Sequence, residues 1–234
     1  MFRNREEAGE RLAAHLGDYR DDASTLILAL PRGGVAVGYH LSLILNAPLD
    51  LLITRKIGAP GNPEYALGAI SETGALFWNQ QAVASFSLTP LDLDQAARAG
   101  KDEIARRVGL YRQGRPLPSV TDRTVILVDD GLATGATFLA SIAAIRRLNP
   151  RHIVGAIPVG PQETVHEVRR QVDRLVVLMT PEPFYAVGDF YEDFTQVEDR
   201  DVLRYLKSAE EARAATKRSP FIAHPGYIQG EDPS

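Results

Sequence analysis

The stretch "VILVDDGLATGAT", residues 125–137, joins four apolar residues, two adjacent acids and a loop rich in glycine and threonine. An unbroken apolar run indicates a strand buried on both faces, as in a parallel sheet. In an open parallel sheet, ligands bind beyond the carboxyl ends of the strands, where Asp129 and Asp130 would lie. This stretch therefore predicts both a fold class and the place of a ligand.

The loop after the two acids has the composition of an anion pocket. Gly131 and Gly135 permit close approach of the backbone, and amides at the start of a helix can hold a phosphate without lysine. Two carboxylates would repel a phosphate, so they suit neutral hydroxyls or a bound cation instead. A sugar phosphate offers hydroxyls and a phosphate together. The alternative is a solvated strand end followed by an ordinary helix cap.

Apolar runs and helical patterns alternate along the rest of the chain. The predicted strands are 24–30, 49–55, 123–128, 152–159 and 174–180, and the predicted helices are 5–16, 35–45, 89–113, 136–148, 161–172 and 199–213. Alternation of this kind is typical of an α/β fold with right-handed crossovers. We expect a mostly parallel, five-stranded sheet with helices on both faces, and the helix at 89–113 as an addition to it.

Other segments depart from this alternation. Residues 56–68 contain three glycines and two prolines, which predicts a long, mobile loop. Residues 69–71 and 75–78 could form a short hairpin. We expect one domain over 1–213, with an aromatic segment at about 181–198, and a flexible tail over 214–234.

Composition excludes several classes of function. Hydrophobic residues make up 44% of the 234 residues, the net charge is −4 and there is no cysteine. No basic face for nucleic acid is evident, and disulfides and thiolate metal sites are excluded. No apolar run approaches the ~20 residues that a membrane span needs, and the N-terminus does not read as a secretory signal. These features predict a soluble cytoplasmic protein without nucleic-acid or membrane partners.

The motif at 125–137 resembles the phosphoribosyl pyrophosphate (PRPP) binding motif of type I phosphoribosyltransferases. Walker-type and dinucleotide-type glycine motifs are absent from the sequence. Two further pieces agree in order: "LPRGG" (30–34) resembles the family's pyrophosphate loop, and "RKIGAPGNPEYALGAI" (55–70) resembles its flexible catalytic loop. Over about residues 2–206 the chain is similar to a bacterial subgroup of predicted phosphoribosyltransferases. The resemblance implies the family's fold with a C-terminal hood.

The resemblance also implies how PRPP would be held. The residues expected to bind its 5′-phosphate are Ala133, Thr134, Gly135, Ala136 and Thr137. Asp129 and Asp130 would bond the ribose hydroxyls, and they would act in catalysis by favouring positive charge on the ribose ring. Magnesium would travel on pyrophosphate and ribose oxygens, with these two acids in indirect contact only.

The remaining implied site residues surround the leaving group and the acceptor. Those expected to meet the pyrophosphate are Arg32, Gly33 and Gly34, and a non-proline cis peptide is expected at Arg32. Arg55 and Lys56 would act in catalysis by neutralising the pyrophosphate, in their own or a neighbouring subunit. Phe184 and Tyr185 would stack on the base. The alternatives are an ordinary turn at 32–34, surface charge at 55–56 and simple packing of the hood.

The function implied is transfer of phosphoribose from PRPP to a nitrogen of an unidentified base, with release of pyrophosphate. Family resemblance further implies a homodimer. Two alternatives stay open from the sequence: a non-catalytic sensor or regulator that binds PRPP or a nucleotide, and a hydrolase or phosphorylase acting on a nucleotide. The paired cations and long loop at 55–70 favour catalysis, because a binding protein has less need to exclude water.

Overall fold

The computed structural model describes residues 1–59, 62–86 and 88–218. The strands are β1 (Thr25–Ala29), β2 (Leu49–Leu51), β3 (Thr54–Ala59), β4 (Asn62–Ser71), β5 (Leu76–Trp78), β6 (Thr124–Val128), β7 (His152–Val159) and β8 (Arg174–Met179). The helices are α1 (Arg5–Ala14), α2 (Gly33–Leu45), α3 (Gln80–Ser85), α4 (Pro90–Arg112), α5 (Ala136–Arg146), α6 (Gln162–Arg169) and α7 (Asp199–Arg218).

Five strands form the central sheet in the order β2-β1-β6-β7-β8, and every neighbouring pair is parallel. Side chains alternate between its faces. Leu26 and Leu28 pack in one cluster with Phe138 of α5, whereas Ile27 packs in another with Leu41 of α2. The predicted α/β fold, with a five-stranded parallel sheet covered on both faces, is confirmed.

The predicted mobile loop at 56–68 is wrong over its described residues. The chain forms an antiparallel sheet in the order β3-β4-β5, which packs on α5 and on α4. Gly58 lies at a shift in the β3–β4 register, and a Cβ on Gly68 would lie 2.2 Å from the carbonyl oxygen of Phe77. These glycines therefore permit a bulge and a close strand contact. Residues 60 and 61 lie outside the described residues.

Several boundaries also differ from the predictions. The predicted strand 49–55 is divided, because β2 pairs with β1 in the central sheet while β3 begins the second sheet. The short hairpin is confirmed as the β4–β5 pair. Helix α7 continues past residue 213 to Arg218, so the first residues of the predicted tail are helical, and 219–234 lie outside the described residues. Among the described helices, none has the length and apolar character to cross a membrane.

Candidate active site

Asp129 and Asp130 follow β6 directly, at the carboxyl end of the central sheet. The amide N–H of Asp130 donates to Oδ1 of Asp129 at 2.9 Å. Burial raises the pKa of Asp129 well above its usual range, and the neighbouring charge of Asp130 raises it further. Burial also raises the pKa of Asp130, although the guanidinium of Arg5 opposes that shift. The fold therefore holds two carboxyl groups where ionisation is costly.

The loop at 30–34 packs directly against this pair. A Cβ on Gly33 would lie 1.8 Å from Oδ2 of Asp130, and a Cβ on Gly34 would lie 2.9 Å from the Cα of Asp129. Any side chain at either glycine would therefore displace an acid. Helix α2 begins at Gly33, two residues before its predicted start, so its first amides lie beside the carboxylates. The peptide bond between Pro31 and Arg32 is cis, as expected.

The loop at 131–135 leads into the N-terminus of α5. Gly135 has a φ of 71°, a backbone conformation that favours glycine, and a Cβ there would lie 2.5 Å from Cγ2 of Thr164. The hydroxyl of Thr164 donates to the carbonyl of Ala133 at 3.1 Å and holds the loop against α6. The first amides of a helix have no acceptor within it. The loop therefore presents amide donors around 133–137.

Arg5, in the first turn of α1, is a site residue that the sequence reasoning missed. The side chain of Asn4 caps this helix by accepting from the amide of Glu7 at 3.0 Å. From that position Nε of Arg5 donates to Oδ2 of Asp130 at 2.8 Å. The two side chains are 11% and 15% exposed, so the ion pair is largely screened from water.

The aromatic hood segment covers the start of the motif loop. The hydroxyl of Tyr191 donates to the carbonyl of Asp130 at 2.6 Å, and a Cβ on Gly131 would lie 2.4 Å from Val187. Phe184 is partly buried and stacks on Phe190, with ring centroids 5.3 Å apart. Tyr185 is 83% exposed. Of the two residues predicted to bind the base, one thus packs within the hood and the other faces solvent.

The predicted cationic residues lie on different elements. The guanidinium of Arg32 is 3.7 Å from the carboxylate of Asp199, at the start of α7. Arg55 approaches Glu103 of α4 at 3.8 Å. Lys56 follows on the same strand, and side-chain alternation puts it on the opposite face from Arg55. The structure therefore brings the acids together with both glycine loops, while Arg32 and Arg55 contact acids outside those loops.

These contacts define what the arrangement can do chemically. The two carboxylates contact the N-terminus of α2, and the loop that follows them in the chain leads into the N-terminus of α5. The amides and partial positive charge of a helix N-terminus favour anions. A ligand with two anionic ends and hydroxyls between them matches this set of groups. Over the described part of the chain, no group of three or more His, Cys, Asp or Glu side chains is arranged to hold a metal ion. Two adjacent acids suit a cation that arrives on a ligand.

Known proteins are similar to this chain in sequence and in fold. The family model described as "Phosphoribosyl transferase domain" matches residues 2–194. Two Mycobacterium tuberculosis proteins, from strains CDC 1551 / Oshkosh and ATCC 25618 / H37Rv, are each 39% identical over 209 residues, or 89% of this chain and 47% of the relative. Each bears the name "Putative phosphoribosyl transferase". The chain spans about half the length of these curated relatives.

A solved structure agrees over almost its entire length. The crystal structure of TT1426 from Thermus thermophilus is 38% identical to this chain, with a TM-score of 0.75. The match covers 88% of this chain and 98% of that chain. Since the residues that match the family model contain both glycine loops, the acid pair and most of the hood, the chain belongs to the type I phosphoribosyltransferase family.

Proposed function

We propose that this protein transfers the phosphoribosyl group of PRPP to a nitrogen of a base, and that the base is a nucleobase. The observation that carries the proposal is the packing of Asp129 and Asp130 against the glycines at the N-terminus of α2, with the loop that follows them leading into the N-terminus of α5. PRPP has a phosphate at one end, a pyrophosphate at the other and two hydroxyls between them. Its groups match the amides and carboxylates of the site.

In the proposed complex, the 5′-phosphate is held by the amides of 133–137 and the pyrophosphate by those of 32–34. The carboxylates of Asp129 and Asp130 accept hydrogen bonds from the ribose hydroxyls. As the bond from C1′ to pyrophosphate breaks, its electron pair leaves with the pyrophosphate and positive charge builds on the ribose. Two nearby negative charges stabilise that charge more than they stabilise the ground state.

Magnesium fits the proposed reaction as an ion carried by PRPP. It would neutralise the leaving pyrophosphate, and its contact with Asp129 and Asp130 would be indirect, because Mg²⁺ retains waters and binds through substrate phosphates. Phe184 or Tyr185 would stack on the base; the ring of Tyr185 is exposed, whereas that of Phe184 already stacks within the hood. Arg55 and Lys56 would complete the site from their own subunit or from the second subunit of a homodimer.

The direct test is to incubate the protein with PRPP, Mg²⁺ and a panel of nucleobases and to measure pyrophosphate release. The Asp129→Asn/Asp130→Asn double variant should release little pyrophosphate with the same base. Asp18→Asn, which changes an 82% exposed acid paired with Arg174, serves as the matched control and should remain active. PRPP binding without pyrophosphate release in the presence of any of the bases would favour a sensor. Absence of PRPP binding would refute the proposal.

A further inference from the structure

Asp130 is held from two sides by parts of the chain that are distant in sequence. The backbone of Gly33 leaves no space for a Cβ beside Oδ2 of Asp130. On the other side, Nε of Arg5 donates to the same oxygen at 2.8 Å, across 125 residues of sequence. These two contacts, one from a glycine and one from a cation, therefore fix the orientation of the Asp130 carboxylate.

Arg5 makes contacts in three directions at once. Besides its bond to Asp130, its Nη1 donates to the carbonyl of Thr195 at 2.9 Å. Its Cζ lies 3.9 Å from the ring centroid of Phe194, so the guanidinium stacks on an aromatic ring of the hood. A planar, forked guanidinium can serve all three partners, whereas the single ammonium of a lysine cannot.

The hood also holds the backbone of the same acid. Tyr191 donates its hydroxyl to the carbonyl of Asp130, and its ring centroid is 5.9 Å from Cζ of Arg5. The charged or titratable groups that face Asp130 are therefore Arg5 from α1, Asp129 from its own strand end and Tyr191 from the hood. Among these three, Arg5 carries the positive charge.

We infer that Arg5 is a positioning residue, which aims the Asp130 carboxylate at the ribose of PRPP and couples that carboxylate to the hood. This inference rests on the proposed function. A buried ion pair is weak evidence for a role in stability, because desolvation opposes the attraction between the charges. A guanidinium that orients one acid and stacks on Phe194 of the hood instead supports the geometry that a sugar ligand requires.

The test is a double-variant cycle on the full chain, with wild type, Arg5→Gln, Asp130→Asn and the double variant. Calorimetric titrations with Mg²⁺–PRPP and with inorganic phosphate measure the two affinities. Arg5→Gln should weaken PRPP about tenfold or more, since an oriented charged hydrogen bond is lost. Phosphate, which uses the amides near α5, should change less than about twofold. The double variant should bind PRPP no more weakly than Asp130→Asn alone, because Arg5 acts through Asp130.

Two further variants guard against a structural explanation. Arg3→Gln changes an arginine that is 72% exposed and bonded to Glu7, and it should leave both affinities unchanged. Arg5→Lys keeps the positive charge without the forked guanidinium. The affinity for PRPP should therefore fall by about threefold or more, and the affinity for phosphate should not. A polar cavity of about 260 Å³ adjoins Arg5, so water can solvate a different side chain there. Arg5→Gln and Arg5→Lys should therefore both fold.

The outcomes separate this inference from the proposed function. If wild type fails to bind PRPP, the proposed function and the inference both fall. If wild type binds PRPP and Arg5→Gln binds it equally well, only the inference is overturned. Full additivity of Arg5→Gln and Asp130→Asn would also overturn it, because the arginine would then act independently of the acid. Should Arg5→Gln not fold, an Arg5→Lys variant with wild-type discrimination between PRPP and phosphate would decide against the inference.

Discussion

At the scale of single residues, the two acids of the motif have different surroundings. Asp130 has a cationic partner in Arg5, whereas Asp129 accepts the amide N–H of Asp130 and lies next to that residue's negative charge. Burial and a like charge both disfavour ionisation. Ionised Asp129 is therefore a cost to the empty protein, and a ligand that donates hydroxyls would offset part of that cost.

The first prediction concerns the stability of Asp129→Asn. The pKa of Asp129 is higher in the folded than in the unfolded protein. At pH values above its usual pKa of 3.8, the folded protein therefore binds more protons than the unfolded protein does. Wild type should therefore lose stability relative to Asp129→Asn as the pH rises from about 4 towards the raised pKa. Thermal unfolding of both proteins between about pH 4 and pH 8 measures the difference. A wild type that gains stability relative to Asp129→Asn as the pH rises would contradict the raised pKa.

The second prediction concerns Gly135, whose replacement strains the backbone and the contact with Thr164. Gly135→Ala should lose about 1–2 kcal/mol of stability through its left-handed φ, and it should weaken PRPP and phosphate together. Gly114→Ala is the matched control, because Gly114 has a φ of 78° but open space around its Cβ position. Chemical denaturation and phosphate titration of both variants separate the two effects. Equal phosphate affinities in the two variants would mean that the loop does not bind phosphate.

Single residues of the site differ in how far the sequence could predict them. Asp129, Gly33 and Gly135 stand in short ordered motifs, so their chemistry is visible locally, and the structure brings Gly33 against the acid pair. Arg5 has no such local signal, because its partner lies 125 residues away. It is one of two arginines in a charged first helix, and only the tertiary fold gives it a buried acid.

At the scale of elements, the antiparallel sheet shows why the composition of 56–68 wrongly predicted a mobile loop. Glycine and proline usually indicate turns, but here Ile57 and Ile70 are buried in one cluster with Ile104 of α4. Leu67 is buried in another cluster with Ala82 of α3, and Gly68 permits close strand contact. Tertiary packing overrides local propensity in strands. The parallel strands were predictable because apolar runs buried on both faces need no such context.

Helix α4, the addition to the minimal fold, is anchored at its C-terminal end by buried charges. Arg112 is 3% exposed, forms an ion pair with Glu72 and lies 3.2 Å from the carboxylate of Asp50. Glu72 in turn accepts the amide N–H of Ile53 at 2.8 Å. Burial raises the pKa of Asp50. The cluster joins α4 to Asp50 in β2 of the central sheet and to Glu72, which follows β4 of the second sheet.

The third prediction follows from this cluster. Arg112→Met should lower the free energy of unfolding by about 3–5 kcal/mol, because it leaves the carboxylate of Glu72 buried without its cationic partner. Adding Glu72→Gln should recover part of that loss. Arg98→Met, on the same helix, changes an arginine that is 74% exposed and should cost under about 0.5 kcal/mol. Urea denaturation measures all three, and equal losses for Arg112→Met and Arg98→Met would exclude the anchor.

At the scale of the whole molecule, the N-terminal segment and the hood form one structure. The amide of Phe2 donates to the carbonyl of Phe190 at 2.8 Å, and the amide of Glu192 donates to the carbonyl of Phe2 at 2.8 Å. The ring of Phe2 is fully buried, 5.2 Å from that of Tyr191. The sequence indicated an N-terminal helix and an aromatic hood separately, but their union depends on where the sheet brings the two segments.

The last prediction tests that union with Phe2→Ala. Loss of a buried aromatic ring should lower the free energy of unfolding by about 3–5 kcal/mol. Because Phe2 also pairs with the hood backbone, the amide of Glu192 should exchange its hydrogen faster, and PRPP should bind more weakly through the loosened Arg5 and Tyr191. Tyr185→Ala, which removes an 83% exposed ring of the same hood, should leave stability and exchange unchanged. Hydrogen exchange with denaturation measures both variants, and an unchanged Glu192 amide in Phe2→Ala would mean that the hood keeps its structure without the N-terminal segment.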